Sequence, residues 1–200
     1  MHVAVVGNAP LHEDFSARID ACDVVIRFNS APEHGRNGGR KTDILFLMNS
    51  GKSMQENLAD PAFLGKQVFH DAGFILLPYH PEIIRRYHPQ PNFLSRLKGR
   101  KADLTWEVVR AAGDLQKRVT ILPPNFYEEG CVELSIPEEE RRKVFPSTGF
   151  LGILYAMRKF PLAKGDLSLY GFGWRGWKRH PWDAEREWVT RSPGIAIYKG

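Results

Sequence analysis

Cysteine is scarce in this chain. Cys22 and Cys131 are the only two; they lie far apart, with no Cys-x-x-Cys pair and no metal-ligand spacing. That pattern excludes a disulfide-stapled scaffold and a zinc module, and leaves reduced structural thiols. No apolar run is long enough to span a bilayer, and the chain opens directly on the strand pattern Val3-Ala4-Val5-Val6 with no basic stretch before it. Neither a signal peptide nor a transmembrane helix is therefore expected. The usual nucleotide signatures are also missing: Gly7-Asn8-Ala9-Pro10 stands where Gly-x-Gly-x-x-Gly would follow a first strand, and there is no Walker loop. Without a basic stripe interleaved with aromatics, a zinc finger or an RNP-type pattern, nucleic acid is not an expected partner.

What is present suits one domain. Two hundred residues, 42% of them hydrophobic, can bury a core without staples. The net charge of +5 favours a phosphorylated ligand, an acidic acceptor or the face of an anionic membrane. Apolar runs at Val3–Val6, Asp23–Asn29, Asp43–Met48, Gly73–Pro78, Arg118–Pro123 and Asp166–Gly173 read as strands, and Ile195–Tyr198 as an edge strand. Between them, Leu11–Ala21, Pro81–Tyr87 and Asp103–Leu115 read as helices, and Pro137–Lys143 as a solvated turn. The expected fold is a single α/β domain over residues 1–200: a Rossmann-like, mostly parallel sheet flanked by helices.

The stretch from Pro146 to Phe160 organises the rest. Pro146 cannot lie inside a helix, Ser147 or Thr148 is a good N-cap, and the following residues are apolar on nearly every side. A buried helix with an open start offers free N–H groups, the positive end of the helix dipole and two hydroxyls, a setting that binds phosphate. Gly149 allows close approach. In open α/β sheets ligands bind beyond the carboxyl ends of the strands, where this chain carries Gly7-Asn8, Asn29 and Gly171-Phe172-Gly173. The second candidate region is Trp174–Glu187. There His180 sits among basic and aromatic residues and can take a proton near neutrality, with Glu185, Asp183 or Glu187 to orient its ring. His12, His34, His70, His80 and His88 read as ordinary solvated histidines.

Four blocks then resemble the eukaryotic-type sialyltransferase family. Val3–Asn8 with Ile19-Asp20, Asp23–Pro32 and Gly39–Thr42 is similar to its long sialylmotif. Pro146–Gly149 with Tyr170–Gly173 is similar to the short one, and His180 with Glu185 matches the very short His-x4-Glu motif. Residues 49–145 are not covered. The resemblance implies a variant glycosyltransferase A fold and transfer of a sugar from a CMP-activated donor, with inversion and without a metal or other cofactor; the chain has no Asp-x-Asp. It places Asn8 and Asn29 on the ribose and phosphate of CMP, Ser147, Thr148 and Gly149 at the phosphate and nucleotide, Gly171 and Phe172 along the nucleoside, and His180 as general base.

Two departures follow from the same comparison. Val3 and Phe160 stand where the family's disulfide would join the long and short motifs, which suits a microbial protein in a reducing cytoplasm. The family's separate His-aromatic motif is missing or merged, so Arg175, Lys178 or Arg179 is expected to supply charge to the leaving phosphate. Sialic acid and Kdo are both expected donors, and the acceptor a glycan, polysaccharide or lipooligosaccharide, with association at the inner face of the membrane as a further expectation. The rival reading is a nucleotide-binding module of the same fold that has lost catalysis; a methyltransferase is disfavoured because Asn29, and no acidic residue, closes the second strand.

Overall fold

The computed structural model describes residues 1–163 and 165–198. In chain order its first half comprises β1 (Val3–Val6), α1 (Ser16–Asp20), β2 (Val24–Phe28), β3 (Ile44–Phe46), α2 (Gly51–Ala59), α3 (Pro61–Leu64), α4 (Gln67–Asp71) and β4 (Phe74–Leu77). Then follow α5 (Pro81–Tyr87), α6 (Phe93–Leu97), α7 (Thr105–Asp114), β5 (Val119–Ile121), α8 (Pro124–Glu133), α9 (Thr148–Lys159), β6 (Leu167–Tyr170), α10 (Trp182–Arg191) and β7 (Ile195–Tyr198). The strands form one seven-stranded sheet in the order β5-β4-β3-β2-β1-β6-β7. Every pairing is parallel, so the expected mostly parallel sheet is parallel throughout. Continuous apolar runs such as Val3–Val6, all four residues buried, are what a sheet covered on both faces requires.

The order fixes where a ligand can enter. From β1 the chain steps through β2 to β5 on one side, then returns to place β6 and β7 on the other. Connections leaving β1 and β6 depart in different directions, and the crevice between their carboxyl ends is the switch point of the sheet.

Packing of α9 against the sheet sets the depth of that crevice. A Cβ on Gly152 would stand 2.4 Å from the Phe28 ring, so the absence of a side chain brings α9 down onto β2. Val3 is fully buried in the same apolar cluster, against which Phe160 packs. The two positions that the resemblance aligns with the family's disulfide thus share one apolar cluster. Cys22 and Cys131 are free and buried in separate clusters.

Several expected elements change extent. The helix expected over Leu11–Ala21 shrinks to α1, because Asp14 caps the Ser16 amide at 2.8 Å and the Leu11 carbonyl accepts from Asn37 at 2.7 Å; an Asp side chain competing for the backbone starts the helix late. β3 and β6 end at Phe46 and Tyr170, before the expected Met48 and Gly173. α2, α3, α4, α6 and α8, unrecognised in the sequence, fill much of residues 49–145, and α10, likewise unassigned in the sequence, carries Glu185.

Candidate active site

The open start of α9 is built as the sequence suggests, with Ser147 as the N-cap: its Oγ accepts the Phe150 amide at 3.0 Å. Arg158 and Lys159 occupy the last turn, where positive charge complements the dipole. Ser147 is itself gripped by Glu185. The Ser147 amide donates to Oε1 and its hydroxyl to Oε2, each at 2.7 Å. Glu185 has no exposed surface, and burial pushes its carboxyl up to about 7 while the Ser147 bonds pull it down. Thr148 begins the helix with its Oγ1 3.3 Å from the Tyr79 hydroxyl.

His180 is held by a different part of the same segment. Its Nδ1 lies 2.9 Å from the Phe145 carbonyl. A carbonyl can only accept, so Nδ1 carries the proton and Nε2 keeps a free lone pair. Phe145, Trp177 and Trp182 surround the imidazole edge-on, at ring-centre distances of 5.7, 5.3 and 5.1 Å. Burial in this aromatic surround lowers its pKa below 6.5, partly offset by the Phe145 bond. The ring is therefore neutral at pH 7, a base rather than a cation. The expected pairing of Glu185 with this ring is not the arrangement found: Glu185 is committed to Ser147, and the Phe145 backbone orients the histidine.

All the expected donor residues, both expected catalytic ones and Arg175 line one cavity of about 420 Å³ at the switch point. Gly7 forms its floor, where a Cβ would meet the Gly171 carbonyl at 2.4 Å, so β1 and β6 close together only because no side chain intervenes. Asn8 is exposed at the mouth. Asn29 adopts a left-handed backbone with φ 52°, and its Oδ1 accepts the Met48 amide at 3.0 Å. That leaves the Asn29 Nδ2 hydrogens for a ligand. Phe172 stands edge-on to Phe28, with 6.3 Å between centres, and leans on Trp174.

Of the three alternative cations expected to supply charge to the phosphate, Lys178 and Arg179 are corrected to positions outside this cavity, and Arg175 lines it. Trp174 at φ 49° and Gly176 at φ 145° turn the chain away. Arg179 is then tied by its carbonyl to the Phe145 amide at 3.1 Å and by Nη1 to the Arg142 carbonyl at 3.4 Å. Other residues of the long motif hold shape. Buried Arg27 donates to the carbonyls of Gly38 and Lys41 and to Thr42 Oγ1, and Asp20 accepts the Arg40 and Lys41 amides. These contacts clamp the loop after β2.

Residues the sequence reading passed over border a second cavity, of about 800 Å³. Met48 and His180 line both cavities. His88, read as solvated, is 8% exposed. Its Nδ1 lies 2.9 Å from Ser50 Oγ, it stacks on Phe145 at 5.0 Å, and burial with the nearby His180 takes its pKa down to about 3. Its neutral ring is part of the wall. Tyr79, Phe145 and Trp177 complete the inner surface; Lys52, Lys98, Arg100 and Lys101 stand around the remainder. A consistent reading of every strand end would have found Met48 and Tyr79, which follow β3 and β4, whereas nothing local marks His88. Among the described residues, no group of three or more His, Cys, Asp or Glu is placed to hold a metal ion.

A parallel sheet with a capped helix start and a tautomer-fixed histidine at its switch point defines an α/β domain with a ligand crevice of the kind that nucleotide-using enzymes place there. Residues 2–192 match Glycosyltransferase family 29 (sialyltransferase), and the chain belongs to that family. The crystal structure of a mammalian sialyltransferase superposes with a TM-score of 0.61 at 20% identity, covering 100% of this chain and 69% of that one. Its complex with Gal-beta-1-3GalNAc-ortho-nitrophenol gives 0.59 at 18% identity over the same shares. A 23 kDa urease operon accessory protein of Rhizobium meliloti (strain 1021) is 28% identical over 196 residues, 94% of this chain and 86% of that protein.

Proposed function

We propose that the protein transfers a 2-keto sugar acid, sialic acid or Kdo, from its CMP conjugate to a glycan hydroxyl with inversion and without a metal. The observation that carries this reading is that His180, neutral and with Nε2 free, stands on the wall common to both cavities. In this reading cytidylate occupies the smaller cavity, its phosphate at the first turn of α9 beside Arg175 and its ribose near Asn8 and Asn29. The acceptor enters from the larger one.

The reaction balances with these groups alone. The acceptor oxygen bonds to the anomeric carbon as its proton passes to His180 Nε2, and the bond from that carbon to the phosphate oxygen breaks, its electron pair leaving with CMP. A CMP donor already holds a good leaving group, so orientation, proton removal and stabilisation of phosphate charge are what the protein must add. Glu185 keeps Ser147 in the geometry that leaves the next amides of α9 open. It is a positioning residue, bonded to Ser147 and not to the imidazole.

The test is release of CMP from CMP-Kdo and CMP-sialic acid in the presence of glycan acceptors, with CMP binding measured alongside. Turnover of one donor that His180→Ala abolishes while CMP still binds supports the transferase. If the wild type binds CMP and turns over neither donor, the binding-module reading replaces it.

A further inference from the structure

The helix α6 is unlike the others. It has no buried residue, and Phe93, Leu94 and Leu97 are 73%, 67% and 70% exposed. It is nevertheless a fixed element, because Asn92 caps it through the Ser95 amide at 2.8 Å. The loop behind it is tied to α2, where Gln55 donates to the Gly99 carbonyl at 2.7 Å and accepts the Lys101 amide at 3.2 Å. Leaving three large apolar side chains on one short helix in water is unfavourable by the area they expose. At 3.6 residues per turn they cover about 100° of its circumference, with Arg96 beside one edge and Lys98 beside the other.

Charge says what covers this wedge. Between Glu82 and Asp103 the sequence has no acidic residue, while Arg85, Arg86, Arg96, Lys98, Arg100 and Lys101 are all basic. Arg86 is spent on Glu128 and Glu138, and Arg100 and Lys101 lie against Glu56 and Glu107. Among the described residues Arg96 and Lys98 have no acidic partner, and Arg96 Nε is bonded only to the Pro91 carbonyl. A second copy of this chain would bring like charges together. A surface that is apolar inside and negatively charged outside complements both features.

We propose that α6 docks on an anionic lipid surface, with Phe93, Leu94 and Leu97 entering the headgroup boundary and Arg96 and Lys98 meeting the charged headgroups. No helix among the described residues is long and apolar enough to cross a membrane, so this contact is peripheral. Ser95 and Lys98, on α6 and just behind it, also line the larger cavity. Docking therefore sets that cavity's mouth beside the bilayer, where a lipid-linked, acidic glycan would present its hydroxyl to His180. That last link rests on the transferase reading; the docking does not.

Sedimentation of the full chain with phosphatidylcholine vesicles, and with vesicles of phosphatidylcholine mixed with phosphatidylglycerol, tests it. Binding to the mixed vesicles should exceed binding to the neutral ones by at least about tenfold and fall as salt rises, each cation near the surface being worth about fivefold. Leu94→Asp with Leu97→Asp, at exposed positions outside both cavities, should lower binding by at least about tenfold with an unchanged circular dichroism spectrum. Arg96→Glu with Lys98→Glu should remove the preference for anionic vesicles. The proposal is overturned if folded wild type sediments with neither vesicle at low salt, or if the variants bind as well as it does. It is equally overturned if the wild type forms a concentration-dependent dimer, lost in the Asp variant, without binding lipid. No donor or acceptor is needed, so absence of sugar transfer would leave this result standing, and absence of lipid binding would leave the transferase intact.

Discussion

The two cavities that share His180 are built from different material. The smaller is shaped by backbone features, the pinched strand ends at Gly7 and Gly171, the left-handed turn at Asn29 and the helix start at Ser147, with Phe28, Phe172, Trp174 and Arg175 around them. The larger is lined by residues of α2 and α6, of the segments that follow β3, β4 and α5, and of the turns that precede α9 and α10, among them Ser50, Tyr79, His88, Phe145 and four cations. Backbone amides and glycine-sized gaps suit a fixed group such as a phosphate, whose recognition leaves little latitude. A wall of side chains can be changed one residue at a time. On the proposed reading, the contrast teaches that a common donor chemistry and an individual acceptor preference would be written in different physical terms on either face of one imidazole.

The comparison breaks most sharply at the histidine. His180→Ala should cut transfer by about 10²- to 10⁴-fold while CMP affinity, measured by calorimetry, stays within a small factor of the wild type. Because burial holds the imidazole pKa below 6.5, wild-type kcat/KM should be flat through neutrality and fall only below that value, as the base becomes protonated. An acidic limb centred above 6.5 would assign the proton transfer elsewhere.

Glu185 should separate the cavities by stability. Glu185→Ala leaves the Ser147 amide and hydroxyl without their buried partner and should cost roughly 2–4 kcal/mol in urea unfolding, weakening CMP binding more than acceptor binding. Its pKa, raised from 4.5 to about 7, means the folded protein holds that proton more tightly than the unfolded chain. The associated stability, at most about 3 kcal/mol, is complete below about 4.5 and is lost as pH rises through about 7. Glu185→Gln should flatten that fall. Gly152→Ala, which drives a methyl into Phe28, should cost about 1–3 kcal/mol and lower CMP affinity by lifting α9. The smallest change is expected at the far rim. Lys98→Ala should raise KM for an acidic acceptor by no more than about fivefold, the worth of an exposed charge, and leave CMP affinity alone.

Legibility followed the same division. Period, glycine placement and strand-end residues mark the sheet, the α9 start and the residues around the smaller cavity, because each is a local backbone requirement with a local sequence cause. The extent of α1 was overread because Asp14 diverts the backbone. The role of Glu185 could not be read, since it depends on α10 bringing a carboxylate to Ser147 from 38 residues away. His88 looks like any surface histidine until Tyr79, Tyr127 and Phe145 close around it. Arg179, adjacent to His180, is separated from the site by two unusual dihedral angles, one at Gly176, where glycine permits it, and one at Trp174, which no residue type announces.

Each residue of the short run from Phe145 to Thr148 is fastened to a partner: the Phe145 carbonyl to His180, the Pro146 carbonyl to Tyr79, Ser147 to Glu185, and Thr148 to Tyr79 again. The segment that orients the His180 ring is thus the one that opens α9, with only a few covalent bonds between the two. On the proposed reading, a nucleotide held at the helix mouth would press on the same short segment that orients the imidazole, which makes this run the shortest covalent link between the two cavities.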